Sequence, residues 1–181
     1  MTMYRDHAIN INSEKYRHLL IEKTIPAKTI LLNEGEVSRN AYFIKNGCLR
    51  LWFNNKGKDI TFQFFFENEA VSSAESFRSG EPSLFSIESI EPSTICIISK
   101  KNFENILMND PEYAALIQGT IVKRMSHYSR LFMSYIKNTP EERYRELLKN
   151  SPHIIKRIPQ HYIASYLGIT SVSLSRIRNR L

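Results

Sequence analysis

The chain has 181 residues, 42% hydrophobic and 24% charged, with a formal net charge of +7. This is ordinary globular composition, enough for one sizeable domain or two small ones. With two cysteines and no run of about 18 apolar residues, it excludes a disulfide scaffold and a membrane span.

The charge is unevenly placed. Residues 1–110 carry 13 Lys and Arg against 14 Asp and Glu, whereas residues 111–181 carry 12 against 4. A neutral first part and a basic second part point to a polyanion as partner, nucleic acid first of all. A membrane surface would call for a basic amphipathic helix with a wide apolar face.

MTMYRDHAININSEKYRHLL mixes charged and apolar residues and has no signal-peptide core. Cys48 and Cys96 lie in apolar strand-like runs without CxxC spacing, which suits core thiols in a reducing cytoplasm. No cysteine-rich N-terminus is present to hold an iron–sulfur cluster.

In chain order, EKYRHLLIEKT reads as a short amphipathic helix. After Pro26 the period changes to alternating apolar runs broken by turn residues: KTILLN, AYFIKNG, CLRLWF, ITFQFFF, LFSIESIE and STICIIS. Asn46-Gly47 and the Asn-Asn-Lys-Gly of 54–57 are turn signals. Seven or more short strands predict a β-barrel, roll or jelly roll. ENEAVSSAESFRSGEPS reads as a loop with one helical turn.

From Lys101 the period is helical. KNFENILMN is one short helix, and Asp110-Pro111 opens a long one with Pro in its first turn. Ile117, Ile121, Tyr128, Leu131 and Tyr135 follow an a/d spacing, with Arg124 in the one seam slot that is not apolar. A helix of about 25 residues, roughly 37 Å long, overreaches one small barrel. The stripe therefore predicts a homodimer seam, the alternative being packing on its own chain. Thr139-Pro140-Glu141-Glu142 marks a hinge and a new helix start. Residues 139–181 then read as a small helical unit.

The ending decides the function. In the twenty residues from Gln160 to Asn179, apolar residues stand at places 4, 8, 10, 15 and 18: Ile163, Leu167, Ile169, Leu174 and Ile177. Ala164 at place 5 lets two helix backbones approach, and Gly168 at place 9 allows the positive φ of a tight turn. This is the spacing of a helix-turn-helix, with Thr170 or Ser171 capping the second helix. Such a helix enters the major groove. Arg176 is the candidate for bidentate contact with guanine, and Val172 for a thymine methyl. Ser171, Ser173, Arg178 and Arg180 are candidates for phosphates.

AYFIKNGCLRLWF, STICIISKKNFENIL and IPQHYIASYLGITSVSLSRIRNRL together resemble the Crp/Fnr family of bacterial transcription regulators. The wording IASYLGIT…SLSRIR is most similar to Bacteroidetes-type versions. The resemblance implies an α+β chain: a cyclic-nucleotide-binding-like double-stranded β-helix or jelly roll over 1–110, a dimerisation helix and hinge over 111–138, and a DNA-binding helix-turn-helix over 139–181. It implies double-stranded DNA, a second copy of the chain, RNA polymerase and an unidentified small-molecule effector as partners, in the cytoplasm, with neither membrane nor cofactor.

Two departures matter. Family members that bind cyclic AMP carry a Gly-Glu pair and, about ten residues on, an Arg followed by Ser or Thr. Here Ser72-Ser73 and Ser83-Leu84 fall at those places, and Arg78 is out of register. The roll is thus expected not to take cyclic AMP, leaving Ser72, Ser73, Arg78 and Ser83 as a candidate pocket for another ligand. The sequence also ends at Leu181 without the family's β-wing.

An enzyme on a cupin-like roll would need clustered His and Glu ligands, and no histidine lies between His18 and His127. The chain is accordingly expected not to be an enzyme. The alternative is a ligand- or protein-binding roll with a weak or vestigial DNA-binding unit.

Overall fold

The structure, a computed structural model, describes residues 14–180. A 3-10 helix, Glu14–Leu19, leads into eight strands. They are β1 (Ile21–Ile25), β2 (Ile30–Leu32), β3 (Asn40–Asn46), β4 (Leu49–Asn55), β5 (Lys58–Phe65), β6 (Ala70–Val71), β7 (Ser86–Ser89) and β8 (Ser93–Ser99). The expected helix over EKYRHLLIEKT is corrected here. Its second half pairs antiparallel with β8, from Ile21 opposite Ile97 to Ile25 opposite Ser93. Sheet hydrogen bonding and the burial of Ile25 override the local helical period.

Two four-stranded antiparallel sheets, in the orders β1-β8-β3-β6 and β2-β7-β4-β5, face each other as a roll. Inward-facing residues from both sheets, including Tyr42, Leu49, Leu51, Phe65, Ile87 and Ile95, fill its interior. Phe62 and Phe85 add an edge-to-face ring pair with centroids 5.3 Å apart. The β3–β4 turn needs Gly47, at φ +106°, because a Cβ there would stand 2.1 Å from Ser93 Oγ. The expected loop with one helical turn contains β6 and α1 (Ala74–Ser79).

The remaining helices are α2 (Lys100–Asn109), α3 (Pro111–Lys137), α4 (Pro140–Asn150), α5 (Pro152–Arg157), α6 (Gln160–Tyr166) and α7 (Ser171–Arg180). Asp110 caps α3, its carboxylate accepting from Tyr113 N–H at 2.9 Å. Thr139 and Glu142 form a reciprocal capping box at α4. None of these helices is long and apolar enough to cross a membrane.

The helical unit is seated on the roll. Cys48 and Phe64 share one buried cluster with Tyr144, Ile154, Ile163, Leu167, Leu174 and Ile177. β5 is the open edge of its sheet, and α6 covers it. Thr61 N–H donates to Ser165 Oγ at 2.8 Å, and Ser165 O–H donates to the Asp59 carbonyl at 3.3 Å. Unpaired edge groups are thereby satisfied instead of left open to another strand.

Candidate nucleic-acid interface and flanking sites

α6 and α7 meet through a turn in which Gly168 takes φ +68°. Ile163, Ala164, Leu167, Leu174 and Ile177 are all buried, with Leu174 and Ala164 at 0% and 1% exposure, and Ile169 packs beside them. Burying each of these leucine and isoleucine side chains is worth about 2 kcal/mol, and together they fix how α7 is rotated. The opposite face of α7 therefore carries exposed Ser171, Val172, Arg176, Arg178 and Arg180. Val172, an apolar residue, is 61% exposed. Thr170 is the cap: its hydroxyl accepts from Ser173 N–H at 3.1 Å, and the two hydroxyls lie 3.0 Å apart. Ser173 is thus engaged in the cap and half-buried, unlike its outward-facing neighbours.

The turn is clamped from α3 and α4. Tyr135 O–H donates to the Tyr166 carbonyl. Arg143 donates from Nη1 to the Asn138 carbonyl at 2.7 Å and from Nη2 to the Leu167 carbonyl at 2.8 Å. Its guanidinium lies 4.7 Å over the Tyr135 ring.

Residues of the seam expected on α3 are divided between contacts with their own chain and open surface, where Ile121, Tyr128 and Tyr135 stay exposed. Ile117 packs on the cluster containing Tyr16, Ile98 and Tyr113. Arg124 donates to the Ala70 carbonyl and lies 5.0 Å from the Phe65 ring. Leu131 packs against the cluster beneath the helical unit, and Tyr135 is in the clamp. Burial raises the Tyr128 hydroxyl's pKa, while Ile121 is 51% exposed. The apolar stripe left open lies one residue further along: Val122, Met125, Phe132 and Ile136, at 63%, 64%, 65% and 64% exposure, with Ser129 in the same row. The roll and helical unit engage Ile117, Arg124 and Leu131 of the expected stripe, and its exposed residues adjoin this open row.

The serines of the candidate ligand pocket in the roll are hydrogen-bonded among themselves and to the backbone. Ser73 and Ser83 are buried with hydroxyls 2.9 Å apart. Ser76 Oγ accepts from Ser38 N–H at 2.9 Å. Ser72 is half-buried, and Arg78 is exposed on α1. The structure brings Ser73 and Ser83 together but leaves Arg78 on the outer surface. Among the described residues no three His, Cys, Asp or Glu side chains assemble into a metal-ligand set.

Three features escaped sequence reasoning. Arg50, 2% exposed, pairs with Glu88 at 2.5 Å from Nη2 and 2.8 Å from Nε, donates to Thr61 Oγ1 at 2.9 Å, and lies 4.2 Å over the Tyr162 ring of α6. Arg157 at the end of α5 bridges Glu67 and Glu91 of the roll. That bridge holds the Glu67 carboxyl down at about 2 and pushes the Arg157 pKa up. The third is Glu69, raised above the usual carboxylate range by burial, against the lowering effects of Phe66 N–H and Arg124. The arginine inside the apolar run CLRLWF was the available signal for the first; the others had none.

Comparison with known proteins places this architecture. Residues 22–110 match the family of cyclic nucleotide-binding domains. Among solved structures, CooA from Carboxydothermus hydrogenoformans is 17% identical, with a TM-score of 0.77 over 99% of this chain and 85% of that one. A Crp/Fnr-family protein from Eubacterium rectale is 18% identical, with a TM-score of 0.71 over 98% and 86%. At these identities the likeness is one of fold: a cyclic-nucleotide-binding-type roll followed by helices, as in Crp/Fnr proteins. The curated relatives, patatin-like phospholipase domain-containing protein 7 of mouse and rat, are 26% identical over 107 residues, and the match spans 8% of their length.

Proposed function

We propose that the chain is a dimeric DNA-binding transcription regulator of the Crp/Fnr type, with a roll over 1–110, a dimerisation helix and hinge over 111–138, and a helix-turn-helix unit over 139–181. The observation that carries this reading is the orientation of α7. Its Leu174 and Ile177 are consumed by the core, and its basic face, with Val172, is left exposed in the half of the chain that holds the charge excess. A basic helix aligned this way suits the major groove. Arg176 reads a guanine, Val172 meets a thymine methyl, and Ser171, Arg178 and Arg180 hold phosphates. Thr170 and Ser173 fix the start of the helix.

A second copy packs along Val122, Met125, Phe132 and Ile136, giving half-sites about 34 Å apart on a two-fold symmetric operator. The role is binding, not catalysis, and cyclic AMP is not the effector: the places that would hold its phosphate and ribose read as two serines bonded to each other.

Selection of bound DNA from a random pool tests the proposal, followed by titration of the selected site. Arg176→Ala should cost about 1–3 kcal/mol and relax specificity at one position per half-site. Arg178→Ala should weaken all sequences alike and reduce the salt dependence. Equal loss on selected and random DNA in Arg176→Ala would refute its base-reading role, and failure to enrich any sequence would favour a sensor roll with a vestigial DNA unit.

A further inference from the structure

Among the described residues, Arg157 is the one arginine or lysine of the helical unit that pairs with carboxylates of the roll. It ends α5, three residues ahead of the first residue of α6. It forks onto Glu67 and also bonds Glu91, which lies between β7 and β8. Its guanidinium stands 5.2 Å from the Phe66 ring. Two carboxylates on one guanidinium leave the bridge net negative.

The bridge lies at the rim of the joint between roll and helical unit. All three side chains are about a third open to solvent, so salt and other ions reach it and its hold is weak. Glu67 also has a partner that stays when the arginine leaves: the Gly47 N–H donates to its Oε1 at 2.8 Å. The arginine belongs to the basic part of the chain and the carboxylates to the neutral part. In a helix-turn-helix the first helix crosses the phosphate backbone. Lys156, Gln160 and His161 are exposed around the start of α6, and Arg157 stands among them. A guanidinium takes phosphate in the same fork that it uses for a carboxylate.

We infer that Glu67 and Glu91 stand in for DNA phosphate: they mask Arg157 in the free chain, and the DNA backbone displaces them and takes the arginine over. Seating of the helical unit on the roll and binding of DNA then compete for one side chain, so each weakens the other. The inference rests on the proposed function, to which it adds a phosphate-binding residue and a restraint built into the fold.

The test is a cycle of variants of the full chain, titrated on the selected site and on random duplex DNA. The double variant Glu67→Gln, Glu91→Gln should bind both about tenfold more tightly, with a salt dependence steeper by about one phosphate. Arg157→Gln should cost about tenfold in that background but only about threefold in the wild type. A general field from the carboxylates would give equal losses in the two backgrounds, because uncoupled effects add. Arg157→Lys in the double variant should keep most of the gain, since an ammonium still neutralises a phosphate. Glu91→Gln alone leaves the Glu67 fork in place and should give a gain of about threefold. It carries the same cycle if the double variant melts below the assay temperature.

Equal losses on removing Arg157 in the two backgrounds would overturn the inference. So would carboxylate variants that bind DNA no more tightly than the wild type. In both cases the wild type still binds its selected site, and the DNA-binding reading stands. Absence of DNA binding by the wild type and every variant removes that reading, and the inference with it.

Discussion

Arg157 and Glu67 are joined at both ends: Nη1 donates to Oε2 and Nη2 to Oε1, each at 2.8 Å. The pair ties α5 to the segment after β5, and so the helical unit to the roll. The Glu67 carboxyl titrates at about 2 against an ordinary 4.5. The stability it contributes is therefore complete above 4.5 and is lost as the pH falls toward 2. With both side chains about a third exposed, screening limits the pair to about 1 kcal/mol. Glu67→Gln should lower the melting midpoint at pH 7 by about 2–5 °C, and the gap from the wild type should close in acid. A gap of the same size at both pH values would show that the charge is not what the substitution removes.

Arg50 and Glu88 form a buried pair, and each is costly without the other. Arg50→Met should destabilise by about 3–5 kcal/mol, because Glu88 is left as an uncompensated charge. The double variant Arg50→Met, Glu88→Leu should recover much of that loss. Urea unfolding of the two single variants and the double variant gives the coupling directly, and additive losses would contradict it.

The open stripe of α3 predicts where the second copy sits. Met125→Asp with Phe132→Asp should give monomers by light scattering, with helix content retained. Leu131→Asp acts on the chain's own core and should instead destabilise the fold, in the range of about 2–5 kcal/mol expected for core damage. Dimers that survive the first pair of substitutions would place the interface elsewhere.

Ser73 and Ser83 predict the response to cyclic AMP. Hydroxyls donate hydrogen bonds but bring no charge to a buried phosphate, and losing a buried charge pair costs on the order of 3–5 kcal/mol. Calorimetric titration should show no binding with a dissociation constant near ~10 μM or tighter. Tight binding that Arg78→Ala removes would mean that α1 rearranges to bring this exposed arginine inward.

The sequence by itself determined the order of elements and the local chemistry of the ending. Strand alternation, the Asp110-Pro111 and Thr139-Pro140 helix starts, and the small residue and glycine at positions 164 and 168 act over one or two turns of chain. Nearest-neighbour sterics and hydrogen bonding specify such features. Even the heptad along α3 was legible as a period. Its rotation was not, because a 3.5-residue repeat says how often a face recurs and not which neighbour takes it. Only the packed structure decided that Arg124 and Leu131 pack on their own chain, that the Tyr135 hydroxyl holds the turn after α6, and that Val122, Met125, Phe132 and Ile136 remain open. The same holds for Ile21–Ile25, whose pairing partner is some 70 residues away. It holds again for Arg50 with Glu88 and Arg157 with Glu67, separated by 38 and 90 positions. These contacts form between side chains whose proximity is a product of the whole fold, and no local pattern encodes them.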